Sequence, residues 1–452
     1  MSVRRTAQGH LRIALAIAFL AGALAGGAAA LAQGSVDQGS VDQGSVDELA
    51  ALKDKFRRPA AIPFPVSNPY SAEKRRLGER LFHDKSLSAD GSIACASCHE
   101  RQKGFSDGRV TAVGVPRRAL ARHTPTLWNL AWAGPVFWDG RARSLEEQAA
   151  GPIIAPDEMA QPMDKLIARL AARRDYARAF ARAFPENPRV SEENLKQAIA
   201  TYERTLVSPP TRFDRFVGGD ASVLSAQEVD GFRLFAGKAG CANCHAGWAF
   251  TDYGFYDVGL ESEDRGRGAV LRIEKAEHAF KTPSLREAAR RAPYMHDGSL
   301  ATLEDVVRHY AGGIVDRPTL PPDLRRISLS ESEQAALVAF VKTLTFDGDP
   351  LPSRAIVAEK SQALPAAHVT SISQHDKMFT PTRVRVKAGE RLWLLNNDTR
   401  THNVRVFDDK LDFDSGAQEP GETVEIAFPQ TGSYLVFCGI HPKMELNVEV
   451  VR

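Results

Sequence analysis

Two copies of one pattern, CxxCH, contain four of the five cysteines in this 452-residue sequence. Thiols at positions i and i+3 face one side of a helix and can add to the two vinyl groups of a haem, while the adjacent histidine can bind the iron. The pattern therefore predicts two covalently bound haem c groups, with His99 and His245 as proximal ligands. The predicted anchors are Cys95, Cys98, Cys241 and Cys244.

Zinc and disulfide bonds are the alternatives for paired cysteines. A zinc ribbon needs its two CxxC halves within about 15–20 residues of each other, whereas these two copies lie far apart in the chain. A disulfide across each pair would suit an exported protein. We favour haem because each motif supplies both covalent anchors and an iron ligand.

The fifth cysteine, Cys438, begins a different pattern near the end of the chain. In FCGIHPKM it is followed by His441 and Met444, and His402 lies upstream in NNDTRTHNV. A thiolate, two imidazoles and a weak thioether are the ligands of a blue-copper electron-transfer site. The alternative is a buried free cysteine with incidental neighbours. We favour type 1 copper because the ligand types recur in order within a segment of alternating strands.

The elements that position these residues follow an N-terminal export signal. Basic residues precede an apolar run at 13–24, and small residues at 30–32 offer a cleavage site. This predicts a signal peptide over residues 1–32 and a periplasmic location. A membrane anchor is the alternative, but the run is short and diluted by glycine and alanine. Residues 33–49 repeat the unit GSVDQ and are predicted to form a flexible, low-complexity tether.

The rest of the chain is long enough for several domains. Residues 50–205 and 206–347 each combine one CxxCH with helical segments and Pro/Gly loops, which predicts two mainly α cytochrome c-type haem domains. Residues 348–366 begin with a Pro/Gly/Asp-rich stretch and are predicted to be a linker. The runs RVRVKAGERLWLL, TVEIAF and SYLVF then alternate apolar and polar residues. They predict an all-β sandwich over residues 367–452.

Residues 60–346 resemble the bacterial dihaem cytochrome c peroxidases and the related MauG enzymes. The resemblance lies in LGERLFHDKSLSADGSIACASCH, FWDGRARSLEEQAAGPI, the second CxxCH and FKTPSLREAARRAPYMHDGSLATLEDVVRHYAGG. It implies that the first haem meets peroxide, that the second handles electrons and that a tryptophan connects them. Residues 367–452 are similar to plastocyanin- and amicyanin-type cupredoxins through HNV, GSYLVFCGIHPKM and NVEVV, which implies a Greek-key sandwich.

The resemblance assigns three catalytic residues. Trp138 corresponds to the tryptophan between the haems, and Gln148 and Glu158 correspond to two distal-pocket groups. Cleaving peroxide requires a proton to move between its oxygens, so we expect Glu158 to act as acid/base and Gln148 to orient the peroxide. Taken without the family, Trp138 would be a core residue, and the other two would be solvated helix positions.

The first haem departs from the ordinary peroxidases on its distal side. Where they have a distal histidine, this chain has Val115, which cannot bind iron. The first haem is therefore expected to be open, unless His123 or His83 binds instead. The family often holds calcium near an RNxP sequence, which reads RHTP at residues 122–125. Calcium is doubtful here because histidine is a poor ligand for a cation that prefers oxygen.

The second haem has several candidates for its other axial ligand. The resemblance to MauG-like proteins favours Tyr310, where ordinary peroxidases have methionine. Met295 and His309 are competing candidates, and His296 is expected either near the haems or as a structural histidine. A phenolate ligand favours ferric and higher oxidation states of iron.

Composition narrows the expected partners. The formal net charge is only +2, and the sequence contains no long basic run, so nucleic acid is not expected. The expected partners are hydrogen peroxide and a small electron-donor protein, either a cytochrome c or a cupredoxin, or an upstream quinol or dehydrogenase chain. A homodimer is left open.

The favoured function is a periplasmic dihaem cytochrome c peroxidase. Its fused copper domain would relay electrons through the second haem, and tethering raises the effective concentration of that carrier. Val115 and Tyr310 motivate one alternative, a MauG-like oxidase that uses peroxide to oxidise a protein side chain. The other alternative is a non-enzymatic electron-transfer or redox-sensing protein.

Overall fold

The computed structural model describes most of the chain beyond the predicted signal peptide. The described residues are 43–115, 117–324, 327–351, 356–357, 367–408, 410–441 and 443–452. The predicted signal peptide and residues 33–42 of the tether lie outside them. Within the described part of the chain, no helix has the length and apolar character needed to cross a bilayer.

The region that contains both CxxCH motifs is helical, with long connecting loops, as predicted. A π-helical turn at His309–Gly313 directly follows the helix that ends at Arg308. The α-helices are α1 (Gln43–Asp54), α2 (Ala72–Phe82), α3 (Cys95–Cys98), α4 (Leu145–Ile154), α5 (Met163–Ala172), α6 (Arg174–Ala183), α7 (Glu192–Arg204), α8 (Arg212–Val217), α9 (Ala226–Ala236), α10 (Arg267–Leu271), α11 (Leu303–Arg308) and α12 (Glu331–Lys342).

Strands dominate the C-terminal part of the chain. The described strands are β1 (Ala61–Ile62), β2 (Phe255–Asp257), β3 (Ala279–Lys281), β4 (Ile356–Val357), β5 (Ala367–His368), β6 (Ser371–His375), β7 (Met378–Thr380), β8 (Arg383–Lys387), β9 (Arg391–Asn396), β10 (Arg405–Asp408), β11 (Leu411–Asp414), β12 (Thr423–Ala427), β13 (Gly432–Phe437) and β14 (Glu445–Val451).

Each half of the helical region is built on two helices that cross at a glycine. In the first half α2 packs on α7, and a Cβ on Gly78 would lie 1.9 Å from the carbonyl oxygen of Ala198. In the second half α9 packs on α12, and a Cβ on Gly231 would lie 2.0 Å from the carbonyl oxygen of Ala336. Both crossings require glycine because the backbones approach too closely for any side chain.

Local sequence signals explain several helix ends. Ser330 and Glu333 form a capping box at the start of α12, and Ser144 caps α4 by accepting a hydrogen bond from the Glu147 amide. These side chains satisfy backbone N–H groups that have no partner within the helix. The helical stretch from Met163 onward is divided at Arg173, whose extended backbone ends α5 and starts α6.

The C-terminal strands form two sheets, which confirms the all-β prediction. The six-stranded sheet has the order β11-β10-β13-β14-β8-β5, and the four-stranded sheet has the order β12-β9-β6-β7. Many neighbouring strands are not consecutive in the chain, and β14 pairs in parallel with β8, as crossover connections in a Greek-key sandwich require. Alternate side chains point into one buried apolar core.

Two predicted connecting segments contain regular structure. Helix α1 begins at Gln43, so residues 43–49 of the predicted tether are helical. Leu49 and Leu52 pack on the core of the second half, and this apolar contact favours the helix over a flexible chain. In the predicted linker 348–366, β4 pairs in parallel with β1.

Candidate metal centres

The first CxxCH motif lies on the short helix α3 and the residue that follows it. Cys95 and Cys98 are not joined by a disulfide bond. The Nδ1 atom of His99 donates a hydrogen bond of 2.9 Å to the Phe105 carbonyl oxygen, which orients the ring and leaves Nε2 available as a ligand. Burial lowers the pKa of His99, so the imidazole is in the neutral form that binds metals.

The second CxxCH motif repeats this geometry. Cys241 and Cys244 are likewise not joined by a disulfide bond, and Nδ1 of His245 donates to the Phe250 carbonyl oxygen at 3.0 Å. Burial likewise lowers the pKa of His245. The accepting phenylalanine has a positive φ in both motifs, 59° for Phe105 and 52° for Phe250. Both histidines are thus held by the same kind of strained turn, and both motifs fit a haem.

A cavity of about 410 Å³ opens beside the first motif. Its volume is within the range of sites that enclose small molecules and cofactors. It is lined by Cys98 and His99 and by all three predicted catalytic residues, Trp138, Gln148 and Glu158. The structure therefore brings together residues that are far apart in the sequence.

Glu158 lies on a turn just after α4, packed against the segment that contains Val115. The Val115 amide donates to the Glu158 carbonyl oxygen at 2.7 Å. A Cβ on Gly114 would lie 1.8 Å from the Asp157 carbonyl oxygen, so only glycine permits this backbone contact. Burial and then the charge of Asp157 raise the pKa of Glu158, against the opposing charge of Arg141. A raised pKa suits a group that exchanges protons near neutral pH.

Trp138 lies at the junction of the two helical halves. Its Nε1 atom donates to the His123 carbonyl oxygen at 2.7 Å, and its own carbonyl oxygen accepts from the Lys281 amide at 2.8 Å. The His123 amide in turn donates to the His296 carbonyl oxygen at 2.7 Å. These bonds tie the Trp138 loop to both halves of the helical region.

The two other histidines considered for the first haem have protein partners. The Nδ1 atom of His123 donates to the Arg109 carbonyl oxygen at 2.8 Å, and its Nε2 atom accepts from the Ser106 hydroxyl at 3.1 Å. His83 is exposed at the end of α2, where Nδ1 donates to the Glu79 carbonyl oxygen. In this arrangement neither nitrogen of His123 is free to bind iron.

The RHTP segment places the positively charged side chain of Arg122 between two carboxylates. The Arg122 guanidinium donates to Asp139 at 2.6 Å and makes two bonds, of 2.7 and 2.9 Å, to Asp264. Bidentate pairing of this kind is among the stronger charge-assisted interactions. It joins a carboxylate from the first half to one from the second.

Tyr310 lies on the π-helical turn beside the second motif. Burial, and then the nearby thiols of Cys244 and Cys241, raise the pKa of Tyr310, so its phenol and these cysteines are close in space. The competing candidate His309 donates from Nε2 to the Val258 carbonyl oxygen at 2.8 Å. Nε2 of His309 is therefore engaged by the backbone, and Tyr310 stays the predicted axial ligand.

The two halves also repeat a loop that the sequence analysis missed. Phe137 and Trp138 in the first half correspond to Met295 and His296 in the second, and the φ angles of Phe137 and Met295 are 67° and 73°. His296 stacks on Phe280 with ring centroids 3.5 Å apart, as a packed structural histidine would. The recurrence of TPTL with TPSL, and of WDG with HDG, was the available signal.

Three of the four predicted copper ligands converge in the β-sandwich, and the fourth lies in the same loop. The Nδ1 atoms of His402 and His441 and the Sγ atom of Cys438 all lie within 4.8 Å of one another. Met444 is fully buried in the same loop, and its carbonyl oxygen accepts from the Cys438 amide at 3.1 Å. Burial lowers the pKa of both histidines, so each is in the neutral form that a metal requires. The group fits one copper ion.

Further residues orient these ligands. The Nε2 atom of His402 donates to Asp398 at 3.1 Å, which fixes the ring and directs Nδ1 inward. The Sγ atom of Cys438 accepts from the Asn403 and His441 amides at 3.5 and 3.4 Å. Sequence reasoning missed Asp398 because its role depends on a turn that places it beside His402.

The copper loop packs directly on the second half of the helical region. The buried core of the β-sandwich also includes three residues from the end of α10 and the segment after it, Leu271, Ile273 and Ala276. The Phe255 amide donates to the Ile440 carbonyl oxygen at 3.1 Å. The two regions therefore share a continuous core. Ile440, which lies between the predicted copper ligands Cys438 and His441, is part of this contact.

A buried arginine crosses this contact. Arg267 donates from Nε to the Gly439 carbonyl oxygen at 3.0 Å and from Nη1 to the carbonyl oxygens of Asp139 and Gly140 at 3.0 and 2.5 Å. Burial, and then the charge of Arg405, lowers the pKa of Arg267 to about 10. One side chain thus joins the copper loop to the loop that contains Trp138.

Comparison with known proteins identifies the family to which this architecture belongs. A family profile described as "Di-haem cytochrome c peroxidase" matches residues 72–222, and one described as "Cupredoxin-like domain" matches residues 353–449. The chain is 48% identical over 300 residues to the methylamine utilization protein MauG of Methylorubrum extorquens, covering 66% of this chain and 85% of that protein. It is 37% identical over 321 residues to the cytochrome-c peroxidase IdrP1 of Denitromonas iodatirespirans, covering 63% and 84%.

A solved structure shows the same likeness. A MauG-like protein associated with microbial copper homeostasis is 33% identical, with a TM-score of 0.58 over 65% of this chain and 95% of its own. These findings define an oxidoreductase with a helical dihaem region and a β-sandwich domain. The chain belongs to the dihaem cytochrome c peroxidase and MauG family, and it has a C-terminal cupredoxin-like domain. The family implies two haems, and the cupredoxin-like domain indicates copper.

Proposed function

We propose that this protein is a periplasmic peroxidase that reduces hydrogen peroxide to water with electrons from its own cupredoxin-like domain, passed through the second haem. One observation carries the proposal. The copper ligand set around Cys438 packs against the half that contains the second CxxCH, while Gln148 and Glu158 line the cavity beside the first. Donor, relay and reaction site are thus parts of one chain.

The residues present are suited to holding all three metal centres. Bound haem and copper would supply reversible one-electron chemistry and, at the first haem, an iron atom for peroxide to bind. The proposed haem residues are Cys95, Cys98 and His99 for the first, and Cys241, Cys244, His245 and Tyr310 for the second. The proposed type 1 copper ligands are His402, Cys438, His441 and Met444.

The side chains around the first cavity would manage the substrate and its protons. The Glu158 carboxylate would take a proton from one peroxide oxygen and return it to the other as the O–O bond breaks, and the raised pKa of Glu158 favours this exchange. The Gln148 amide would orient the peroxide. Val115 would leave the distal face open because its side chain has no ligand atom. Two electrons and two protons convert each peroxide into two waters.

Stopped-flow mixing tests this function. Holoprotein with reduced copper is mixed with hydrogen peroxide while the copper absorption band and peroxide are followed together. The expected result is oxidation of two copper centres for every peroxide consumed. Peroxide consumption with copper left reduced would overturn the relay, and absence of consumption would overturn the peroxidase itself. An external cytochrome c or cupredoxin, or a quinol chain, would re-reduce the copper between turnovers.

A second candidate is supported by the 48% identity to a protein named methylamine utilization protein MauG. Tyr310 and Val115 also favour it. A MauG-like oxidase would take electrons from a protein side chain, so it would not need the copper donor. Mass spectrometry of candidate partner proteins after incubation with peroxide tests this function. A covalently oxidised partner residue, formed equally well by a Cys438→Ala variant, would favour the oxidase over the peroxidase.

A further inference from the structure

The predicted copper ligand His441 faces an aromatic side chain of the helical region. Its ring centroid lies 5.8 Å from that of Tyr256, with the two planes at 48°. His441 is 5% exposed and Tyr256 is 6% exposed, so both rings of this pair are buried. The edge of the copper site nearest the helical region is therefore in contact with β2.

A short bonded route leads from Tyr256 to the second CxxCH motif. The Tyr256 hydroxyl donates to Oδ2 of Asp252 at 2.6 Å. The Asp252 amide then donates to the Cys244 carbonyl oxygen at 2.8 Å. Cys244 is one of the predicted covalent anchors of the second haem. The route from Cys244 to His441 thus consists of two hydrogen bonds, one ring contact and the covalent bonds within Asp252 and Tyr256.

The β-sandwich supplies a lysine that holds this route in place. The Nζ atom of Lys377 donates to Oδ2 of Asp252 at 2.9 Å and to the Asn243 carbonyl oxygen at 2.6 Å. The same atom lies 5.0 Å from the centroid of the Tyr256 ring. The side chain of Lys377 is largely buried, as is that of Asp252, so the contact is shielded from solvent.

A second route leaves the copper loop through Arg267, but it leads elsewhere. It starts at the Gly439 carbonyl oxygen and ends on the Asp139 and Gly140 carbonyl oxygens beside Trp138. Among the described residues, the hydrogen bonds of the Arg267 side chain go to neither a copper-ligand side chain nor a CxxCH motif. The two routes thus make different predictions for substitutions.

We propose that Tyr256 and Asp252 are relay residues that conduct electrons from the copper site to the second haem. This inference rests on the proposed peroxidase function. In protein loaded with copper and haem, one electron would pass from Cu(I), giving Cu(II), to a second haem from which peroxide has withdrawn an electron. Tyrosinate ligation by Tyr310 favours ferric and higher oxidation states of iron. Two such transfers, with the copper re-reduced by the external donor between them, would return the two electrons taken by each peroxide, and the Tyr256 phenol would keep its proton.

The test measures electron transfer directly in copper- and haem-loaded protein. A laser flash-quench oxidant generates the oxidised haem without peroxide, and growth of the copper band gives the rate constant. Tyr256→Leu removes both the ring contact and the hydroxyl, and Tyr256→Phe removes only the hydroxyl. We expect a several-fold slower rate for the phenylalanine variant and a larger loss for the leucine variant.

Two controls separate conduction from structural damage. Tyr434→Phe removes a hydroxyl that donates to the Gln430 carbonyl oxygen within the β-sandwich, and it should keep the original rate. Arg267→Lys should also keep it. Copper and haem reduction potentials and electron paramagnetic resonance spectra should be unchanged in the Tyr256 variants.

The outcomes distinguish this proposal from the function on which it rests. An unchanged rate in both Tyr256 variants, or a slower rate in Arg267→Lys alone, would overturn the relay through Tyr256 while leaving the peroxidase intact. Absence of any transfer from copper in the unsubstituted protein would overturn the copper relay as well. Changed potentials with an unchanged rate would also contradict conduction through Tyr256.

Discussion

The Nδ1 atoms of His402 and His441 lie 2.9 Å apart, although the two histidines come from different segments of the β-sandwich. The Sγ atom of Cys438 lies 3.8 Å from the first and 3.7 Å from the second. All three side chains are buried. This compact triangle of one sulfur and two nitrogens is the structural basis for the predictions about copper.

Cys438→Ala should abolish the blue copper band and its electron paramagnetic resonance signal. The thiolate is the ligand whose charge transfer to copper colours such sites, and alanine offers no replacement. The haem absorption spectrum should not change. His375→Ala is the matched control because His375 is exposed on the same domain and pairs only with Asp376 among the described salt bridges. Retention of the blue signal in Cys438→Ala would exclude this copper site.

Asp398→Ala should weaken copper binding by about 10–100-fold, the usual cost of losing a carboxylate that orients a ligating histidine. The change removes the acceptor for Nε2 of His402 and leaves all four ligands in place. Competition with a copper chelator measures the affinity. The exposed Asp376→Ala variant is the control. Equal affinities would show that the sandwich core alone orients His402.

Glu158→Gln should lower kcat/KM for peroxide by about 10²–10⁴-fold, the range of a lost acid/base group. The carboxylate is the form that accepts a proton, so activity should fall as the pH drops through the raised pKa of Glu158. That acidic limb should disappear in the variant. Glu147→Gln, at an exposed position of α4, is the control. An unchanged acidic limb in Glu158→Gln would assign proton transfer to another group.

Tyr310→Met should raise the reduction potential of the second haem, by roughly 0.1 V or more within the ~0.8 V that axial ligands span. A thioether stabilises ferrous iron, whereas a phenolate stabilises ferric iron. Spectroelectrochemical titration measures the shift. His309→Gln should leave the potential near its original value because His309 donates to the Val258 carbonyl oxygen. A shift in the His309 variant instead would identify His309 as the axial ligand.

Glu203→Gln should flatten the pH dependence of stability. Burial raises the pKa of Glu203 to about 8, and its Oε2 atom has no hydrogen-bond partner among the described residues. A folded-state pKa above the unfolded value stabilises the protein at low pH, and this contribution is lost as the pH rises towards about 8. Thermal unfolding between about pH 5 and pH 8 should therefore show a smaller decline in Tm for the variant than for the original protein. Glu147→Gln should retain the original decline.

The local patterns of the sequence determined much of this molecule. The CxxCH motifs and the spacing of Cys438, His441 and Met444 identify candidate ligands because residues three positions apart are neighbours whatever the rest of the fold does. Alternating runs indicated the β-sandwich, and serine and glutamate at Ser330 and Glu333 marked the start of α12. Gln148 and Glu158 could be singled out only through a family resemblance, because neither has a distinctive local pattern.

Only the tertiary structure decided which distant residues meet. It closed the copper triangle with His402, placed Asp398 behind it and set Tyr256 against His441. It also buried Arg267 between the copper loop and the Trp138 loop. Such contacts join residues far apart in the chain, and they depend on how the sandwich packs on the helical region. Local propensity and periodicity contain no information about that packing, because they describe neighbours along the chain.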